Sequence, residues 1–355
     1  MRRNWQIKLL AIALLFSLLL VTGCTKQVFK FDIPESEIPT ITVLAYHRIL
    51  DGGPSFIDVS TSMFDNHLTW LEQNGYNVIS YDEFIDFLDG KGNLPEKPVL
   101  ITFDDGYKET YTNAMPILAK HEMPAVLFIY SNRMKDYSFD GGLSVTELRE
   151  MQRKGWSIQA HTVTHADLSL FSPHAKASAM YEMAQNKKDI ESKLGTEVTG
   201  LAYPYGAYTP EVEQWTQEAG FKAAFLIEEG PNTYDDIHPY RIKRHMLYQK
   251  DTLEDFARKV TSSPLQVIRT VPEQAQVIDY RPATVIADVV LPEGVKVVKV
   301  YADIESEDLS ARFDAEKQRV IVDTASVGRG HHNMTIKLLG SDGRTYVYGW
   351  SYVIQ

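Results

Sequence analysis

Cysteine is almost absent from this chain: among 355 residues there is a single one, Cys24. One thiol excludes an intramolecular disulfide framework. The rest of the chain has no oxidisable thiol, which suits a protein that is exported to an oxidising compartment.

Positive charge is also scarce. The chain has 36 lysines and arginines against 47 aspartates and glutamates, a net charge of −11. No basic stripe stands out, which argues against a nucleic-acid partner. Internal repeats and low-complexity segments are missing too, and the length allows two domains with full cores.

The N-terminus carries an apolar run, residues 9–21, which follows basic residues and is too short for an ordinary membrane span. It ends in a Val-Thr-Gly-Cys sequence that resembles a bacterial lipoprotein signal. The resemblance implies a signal peptide over 1–23, a lipidated (palmitate-bearing) Cys24, and a linker over 24–40. We therefore expect an extracytoplasmic protein that is lipid-anchored to a cell membrane.

Strand-like apolar segments alternate with helical patterns over residues 41–262. Such alternation predicts a parallel sheet covered by helices. The sheet could be open or closed into a barrel, and about seven units over about 220 residues favour an α/β fold with barrel-like closure. Residues 270–355 contain only short β-rich segments and turns, which predict a small all-β sandwich domain.

Two adjacent carboxylates, Asp104 and Asp105, follow the apolar segment 98–103, and Gly106 permits a sharp turn after them. The carboxyl ends of parallel strands are where α/β folds place ligand sites. Two carboxylates in a low-dielectric cleft repel each other unless a cation lies between them. The pair predicts half of a metal site, and the alternative is a solvated Asp-Asp-Gly turn.

Two histidines, His161 and His165, follow another predicted strand, 156–160. Their spacing places both on one face of a helical turn, where they could ligate one metal. Two imidazoles and a carboxylate form the facial set that hydrolytic metal sites need. A third strand end carries Tyr-Pro-Tyr-Gly, in which the backbone N–H and the ring of Tyr205 could face the site.

These motifs (Thr-Phe-Asp-Asp, His-Thr-Val-Thr-His and Tyr-Pro-Tyr-Gly, in this order) resemble those of the polysaccharide deacetylases, the NodB-type carbohydrate esterases of family 4. The resemblance covers about residues 40–262 and implies that they form a distorted (β/α) barrel. The early Leu-Ala-Tyr-His segment and the Tyr-Pro-Tyr-Gly form are most similar to the branch that contains poly-N-acetylglucosamine deacetylases.

The resemblance implies a metal-dependent hydrolase of linear amides. It would remove N-acetyl groups from peptidoglycan, chitooligosaccharide or poly-N-acetylglucosamine and release acetate. Asp105, His161 and His165 would hold a divalent metal, usually zinc, with cobalt, nickel and manganese as alternatives. Asp104 would be the general base, and the N–H of Tyr205 would bind the oxyanion. We expect a monomer.

Two positions depart from the family pattern. Ala202 stands where the family has an arginine that tethers the base; Arg244 is the preferred replacement and Arg241 the alternative. The usual general-acid motif is not recognisable either, so His245 is the candidate general acid and His47 the alternative.

These departures keep two other functions open. The chain could be a non-catalytic glycan-binding lipoprotein, or an O-deacetylase of xylan or wall glycan, since the same metal and base would serve an ester. In the C-terminal domain, four aromatic residues alternate along one strand: Tyr346, Tyr348, Trp350 and Tyr352. They would either pack in the core or extend the contact with glycan.

Overall fold

Short strands and helices alternate from residue 40 to residue 260 in the computed structural model, which describes residues 28–139, 141–305 and 307–355. The predicted signal peptide and Cys24 lie outside the described residues. Phe31–Gln355 form one compact unit. No helix in the described ranges is long and apolar enough to cross a membrane.

The strands of this first part, in chain order, are β1 (Thr40–Tyr46), β2 (Arg48–Ile49), β3 (Asp58–Val59), β4 (Asn77–Val78), β5 (Pro98–Phe103), β6 (Ala125–Ile129), β7 (Met134–Lys135), β8 (Leu143–Ser144), β9 (Trp156–Ala160), β10 (Gly200–Ala202), β11 (Ala223–Phe225), β12 (Asn232–Thr233) and β13 (His245–Met246). The α-helices are α1 (Thr61–Gln73), α2 (Tyr81–Leu88), α3 (Met115–Lys120), α4 (Val145–Arg153), α5 (Lys176–Leu194), α6 (Pro210–Glu218) and α7 (Leu253–Val260).

The central sheet has the strand order β11-β10-β9-β6-β5-β1, with parallel neighbours, and β4 lies beside β5. Segment 242–246 joins the two ends of this path. Ile242 bridges Phe225 of β11, while His245 of β13 pairs with Leu44 of β1. This confirms the predicted distorted barrel. Its strands are apolar because both faces are covered, and all six residues of β5 are buried.

Capping residues set where several helices begin. Ser144 and Glu147 form a capping box at the start of α4. A 3₁₀ turn covers Pro173–Ala175, and the long helix α5 starts directly after it. The helix ends at Gly195, which adopts the left-handed conformation that favours glycine.

The C-terminal part consists of strands only: β14 (Ser263–Pro264), β15 (Gln266–Val271), β16 (Gln276–Ile278), β17 (Thr284–Val290), β18 (Val297–Ile304), β19 (Glu307–Leu309), β20 (Ala311–Asp314), β21 (Arg319–Asp323), β22 (Gly330–Gly340) and β23 (Thr345–Ile354). They form a six-stranded and a four-stranded sheet. One core contains side chains from both sheets, such as Val320 and Ile336, which confirms the sandwich.

The alternating aromatic residues of β23 belong to this core. Tyr346, Trp350 and Tyr352 are buried, and Tyr348 packs against the same cluster. Core packing therefore explains them, and the suggestion that these four rings contact glycan is wrong for the three buried ones.

The last residues of the predicted linker contact the folded part. Arg344 binds the carboxylate of Glu37 and the carbonyl of Glu35, and Lys97 pairs with the Glu35 carboxylate. The linker is thus fastened near its end. The boundaries 41–262 and 270–355 stay predictions.

Candidate active site

One cavity of about 400 Å³ brings together several of the predicted site residues at the carboxyl ends of β5, β9 and β10. Asp104, Asp105, His161, His165 and Tyr205 all line it. Parallel strands end at the same edge of a sheet, so residues far apart in sequence meet there.

Asp105 lies between the two histidines. Its Oδ1 atom is 3.4 Å from Nε2 of His161 and 3.2 Å from Nε2 of His165. Asp105 itself has a φ of 74°, and this left-handed turn at the end of β5 directs its side chain away from that of Asp104. One ligand atom from each of the three residues lies within 4.8 Å of the others.

The donor set fits a divalent cation. Asp105 Oδ1 is buried and has no hydrogen-bond partner among the described residues. His161 Nδ1 lies 2.7 Å from the carbonyl oxygen of Ala202 and donates to it, so the lone pair of Nε2 faces Asp105. Burial alone raises the pKa of Asp105, but the adjacent His161 and His165 hold it well below its usual value. The site thus presents an ionised carboxylate and imidazole nitrogens to one point.

The histidine segment is not a helical turn, which corrects the sequence prediction. Thr162 and His165 both have positive φ values, 67° and 63°. Helix α5 holds this loop: the Glu182 carboxylate accepts hydrogen bonds from two loop N–H groups, both at 2.9 Å. Asn186 Oδ1 accepts from the N–H of His161 at 2.8 Å. Sequence reasoning missed both residues, although two polar residues four apart on a sheet-facing helix were a usable signal.

Asp104 is held by an arginine. Arg244 Nη1 and Nη2 each lie 2.7 Å from one Asp104 oxygen, and the arginine side chain is fully buried. The alternative candidate, Arg241, pairs instead with Glu213. Burial alone raises the pKa of Asp104, but the Arg244 guanidinium outweighs burial and holds this pKa below its usual value.

The two candidate general acids face different cavities. His245 does not line the cavity of Asp104, whereas Met246 does. Consecutive strand residues point to opposite sides, and β13 therefore turns His245 away from the site. His245 Nε2 lies 3.3 Å from Ser262 Oγ. His47, the alternative, lines the cavity, and its buried Nδ1 has no hydrogen-bond partner among the described residues. Burial lowers the pKa of His47.

Tyr205 is exposed for 54% of its surface and has a φ of 61°, a strained value for tyrosine. Asn333 of β22 donates a 2.9 Å hydrogen bond from Nδ2 to the Tyr205 carbonyl oxygen. Glu305, which follows β18, also lines the cavity. The C-terminal sandwich thus contributes to the site, and no sequence signal pointed to either residue, because strand patterns do not indicate which distant loop a strand meets.

The polysaccharide deacetylase family model matches residues 91–224. YxkH of Bacillus subtilis (strain 168), a protein assigned to the polysaccharide deacetylases, is 31% identical over 210 residues, which cover 58% of this chain and 72% of YxkH. The poly-beta-1,6-N-acetyl-D-glucosamine N-deacetylase of Staphylococcus aureus (strain N315) is 28% identical over 212 residues, which cover 57% of this chain and 71% of the enzyme.

A solved structure agrees with this likeness. The Streptococcus pyogenes deacetylase PplD in complex with acetate superimposes with a TM-score of 0.58 at 25% identity. The match covers 63% of this chain and 99% of PplD.

Proposed function

This chain belongs to the polysaccharide deacetylase family, and on that premise we propose that it is a metal-dependent N-deacetylase of N-acetylglucosamine-containing glycan. The observation that carries the proposal is that two adjacent aspartates have different partners. Asp105 faces two histidines, and Asp104 faces a buried arginine. A binding protein would have no need for an ionised, tethered carboxylate beside a metal site.

Asp105, His161 and His165 would hold the metal, with zinc the first choice. When bound, a divalent metal polarises a carbonyl group and lowers the pKa of water. Asp104 takes the proton of the attacking water, because Arg244 keeps it ionised and fixes its orientation. The N–H of Tyr205 donates a hydrogen bond to the acetyl carbonyl oxygen, on which negative charge develops as water attacks.

The departing amine needs the proton that Asp104 takes from the attacking water, and His47 is better placed than His245 to pass it on. His47 lines the same cavity as Asp104 and Asp105, and its Nδ1 is not engaged with another described residue. The missing family arginine no longer favours a non-catalytic role, since Arg244 takes the position beside Asp104.

The relative from S. aureus supports poly-N-acetylglucosamine as the first substrate to test. We also propose that a lipid on Cys24 anchors the protein outside the cytoplasm. Mass spectrometry of the membrane-extracted protein tests this, because a diacylglyceryl group on an N-terminal Cys24 is the expected product.

Acetate release tests the catalytic proposal. The purified full-length protein should release acetate from poly-N-acetylglucosamine, chitooligosaccharide or peptidoglycan, and a chelator should stop the release. O-acetylated xylan is the comparison substrate, and faster release from it would favour an O-deacetylase. Asp104→Asn should lower the rate at least about 100-fold. Full activity in that variant would refute the mechanism.

A further inference from the structure

A second cavity, of about 470 Å³, lies where the barrel meets the C-terminal sandwich. This volume is within the range of about 300–1,000 Å³ that small-molecule sites occupy. Its lining comes from both parts of the chain, with Glu229, His245 and Tyr248 from the barrel and Tyr301, Asp303 and Asp308 among the sandwich residues.

The second cavity adjoins the cavity of Asp104 and Asp105. Tyr248 lines both of them. Tyr301 and Asp303 line the second cavity, while Glu305 lines the first. Alternate residues of a strand point to one side, so Tyr301 and Asp303 share one side of β18, and Glu305 follows in the turn where the strand ends. The two cavities are thus neighbouring parts of one surface.

The lining chemistry fits a neutral sugar. Five carboxylates and four lysine or arginine side chains line the second cavity, so their charges nearly balance. A polyanion would need an excess of cations. Carboxylates accept hydrogen bonds and cations donate them, which matches ligand hydroxyl groups that do both. Tyr301 is 44% exposed and offers an aromatic surface for the apolar face of a sugar ring.

Two buried polar atoms in this cavity have no hydrogen-bond partner among the described residues: Glu229 Oε2 and His245 Nδ1. They lie 4.0 Å apart, too far for a direct hydrogen bond. Lys337 Nζ is 3.2 Å from the same Glu229 oxygen, within ion-pair range. The wall of this cavity thus has hydrogen-bonding capacity, at His245 Nδ1 above all, that the described residues do not fill.

We propose that the second cavity is a binding subsite for a neutral sugar residue of the same glycan chain whose N-acetyl group is hydrolysed in the first cavity. This inference rests on the proposed function, because it assumes that the first cavity hydrolyses the same glycan chain. It adds that the sandwich favours polymeric over short substrates, because a glycan chain that fills both cavities makes more contacts than one that fills only the first.

The test compares short and long substrates. The full-length wild-type protein, Tyr301→Ala and Asp308→Ala are assayed with the disaccharide and hexasaccharide of N-acetylglucosamine. Hexasaccharide binding is also measured by titration calorimetry, which does not depend on turnover. Tyr280→Ala is the matched control, since Tyr280 is an exposed tyrosine that lines neither cavity.

If the subsite binds sugar, Tyr301→Ala should weaken hexasaccharide binding and raise the KM for the hexasaccharide about tenfold. This is the size of effect expected for the loss of one aromatic contact. Disaccharide turnover should stay unchanged, as should both substrates in Tyr280→Ala. Unchanged hexasaccharide binding in both cavity variants overturns the inference, and so does an equal loss for both substrates. If the wild-type protein binds the hexasaccharide through Tyr301 but releases no acetate, the proposed function fails while the subsite stands.

Discussion

Arg244 and Asp104 form a bidentate ion pair, with two hydrogen bonds of 2.7 Å between residues 140 positions apart in the chain. Both side chains are buried. Arg244 also donates from Nε to the carbonyl of Leu226, at 2.6 Å. The guanidinium therefore has one fixed orientation, and it fixes the carboxylate in turn.

Arg244→Ala should abolish acetate release and destabilise the fold by about 3–5 kcal/mol, because it leaves a buried carboxylate without its partner. Thermal unfolding and acetate release measure the two effects. Arg241→Ala is the control, since Arg241 is partly exposed and pairs with Glu213 instead of Asp104. Equal losses of acetate release and of stability in the two variants would contradict the role of Arg244 as the partner of Asp104.

Metal affinity should separate the two aspartates. Asp105→Asn and His161→Ala should weaken zinc binding by more than about 100-fold, because each removes a ligand. Asp104→Asn should bind zinc nearly as the wild type does, although it is inactive. Exposed His174 gives the control His174→Ala. Titration calorimetry of the chelator-treated proteins measures this, and a loss of zinc in Asp104→Asn would contradict the division of roles.

The free energy of unfolding should fall on acidification, because Glu229 loses its charge. Burial alone raises its pKa, but Lys259 and Lys337 hold the pKa well below its ordinary value of 4.5. A depressed folded-state pKa stabilises the protein above the unfolded pKa, and this contribution is lost as the pH falls through the folded value. The stability difference between wild type and Glu229→Gln should therefore shrink from pH 6 towards pH 3. Chemical denaturation at each pH measures it.

The control for this pH dependence is Glu254→Gln. Glu254 pairs with Arg258 on an exposed helix face. Removing it should cost no more than about 0.5 kcal/mol. A difference between wild type and Glu229→Gln that stays constant with pH would contradict the assignment.

Asn333→Ala should lower kcat about tenfold and leave KM nearly unchanged, because the Tyr205 N–H acts on the oxyanion of the transition state. Gln274→Ala is the matched control. It removes another amide donor from the same interface, one that binds the Tyr208 hydroxyl at 2.8 Å and does not touch Tyr205. If both variants lose kcat equally, the effect belongs to the interface and not to Asn333.

Sequence reasoning succeeded where one local pattern carries the information. Buried strands such as β5 read as continuous apolar runs, and the polar residues after them mark the sheet edge. The cluster of Asp105, His161 and His165 followed from this edge. The sandwich was predicted from short β-rich segments and turns within 270–355, but β14 and most of β15 lie before that range.

The sequence was less informative about contacts between distant segments. The side of β13 on which His245 lies depends on strand register, and a shift of one residue reverses it. The turn at His161 has positive φ values that spacing cannot indicate. Glu305 and Asn333 reach the site only because the sandwich packs beside it.

The contact between Asn333 and Tyr205 bears on how this protein can be divided for experiments. A fragment that stops near residue 262 would contain each metal ligand and the base, and by sequence likeness it would look complete. It would nevertheless lack Asn333, whose side chain binds the carbonyl oxygen of Tyr205. Weak turnover by such a fragment would report an unsupported loop, and would say nothing by itself about glycan binding. Single substitutions in the intact chain are the cleaner probe of what the sandwich does.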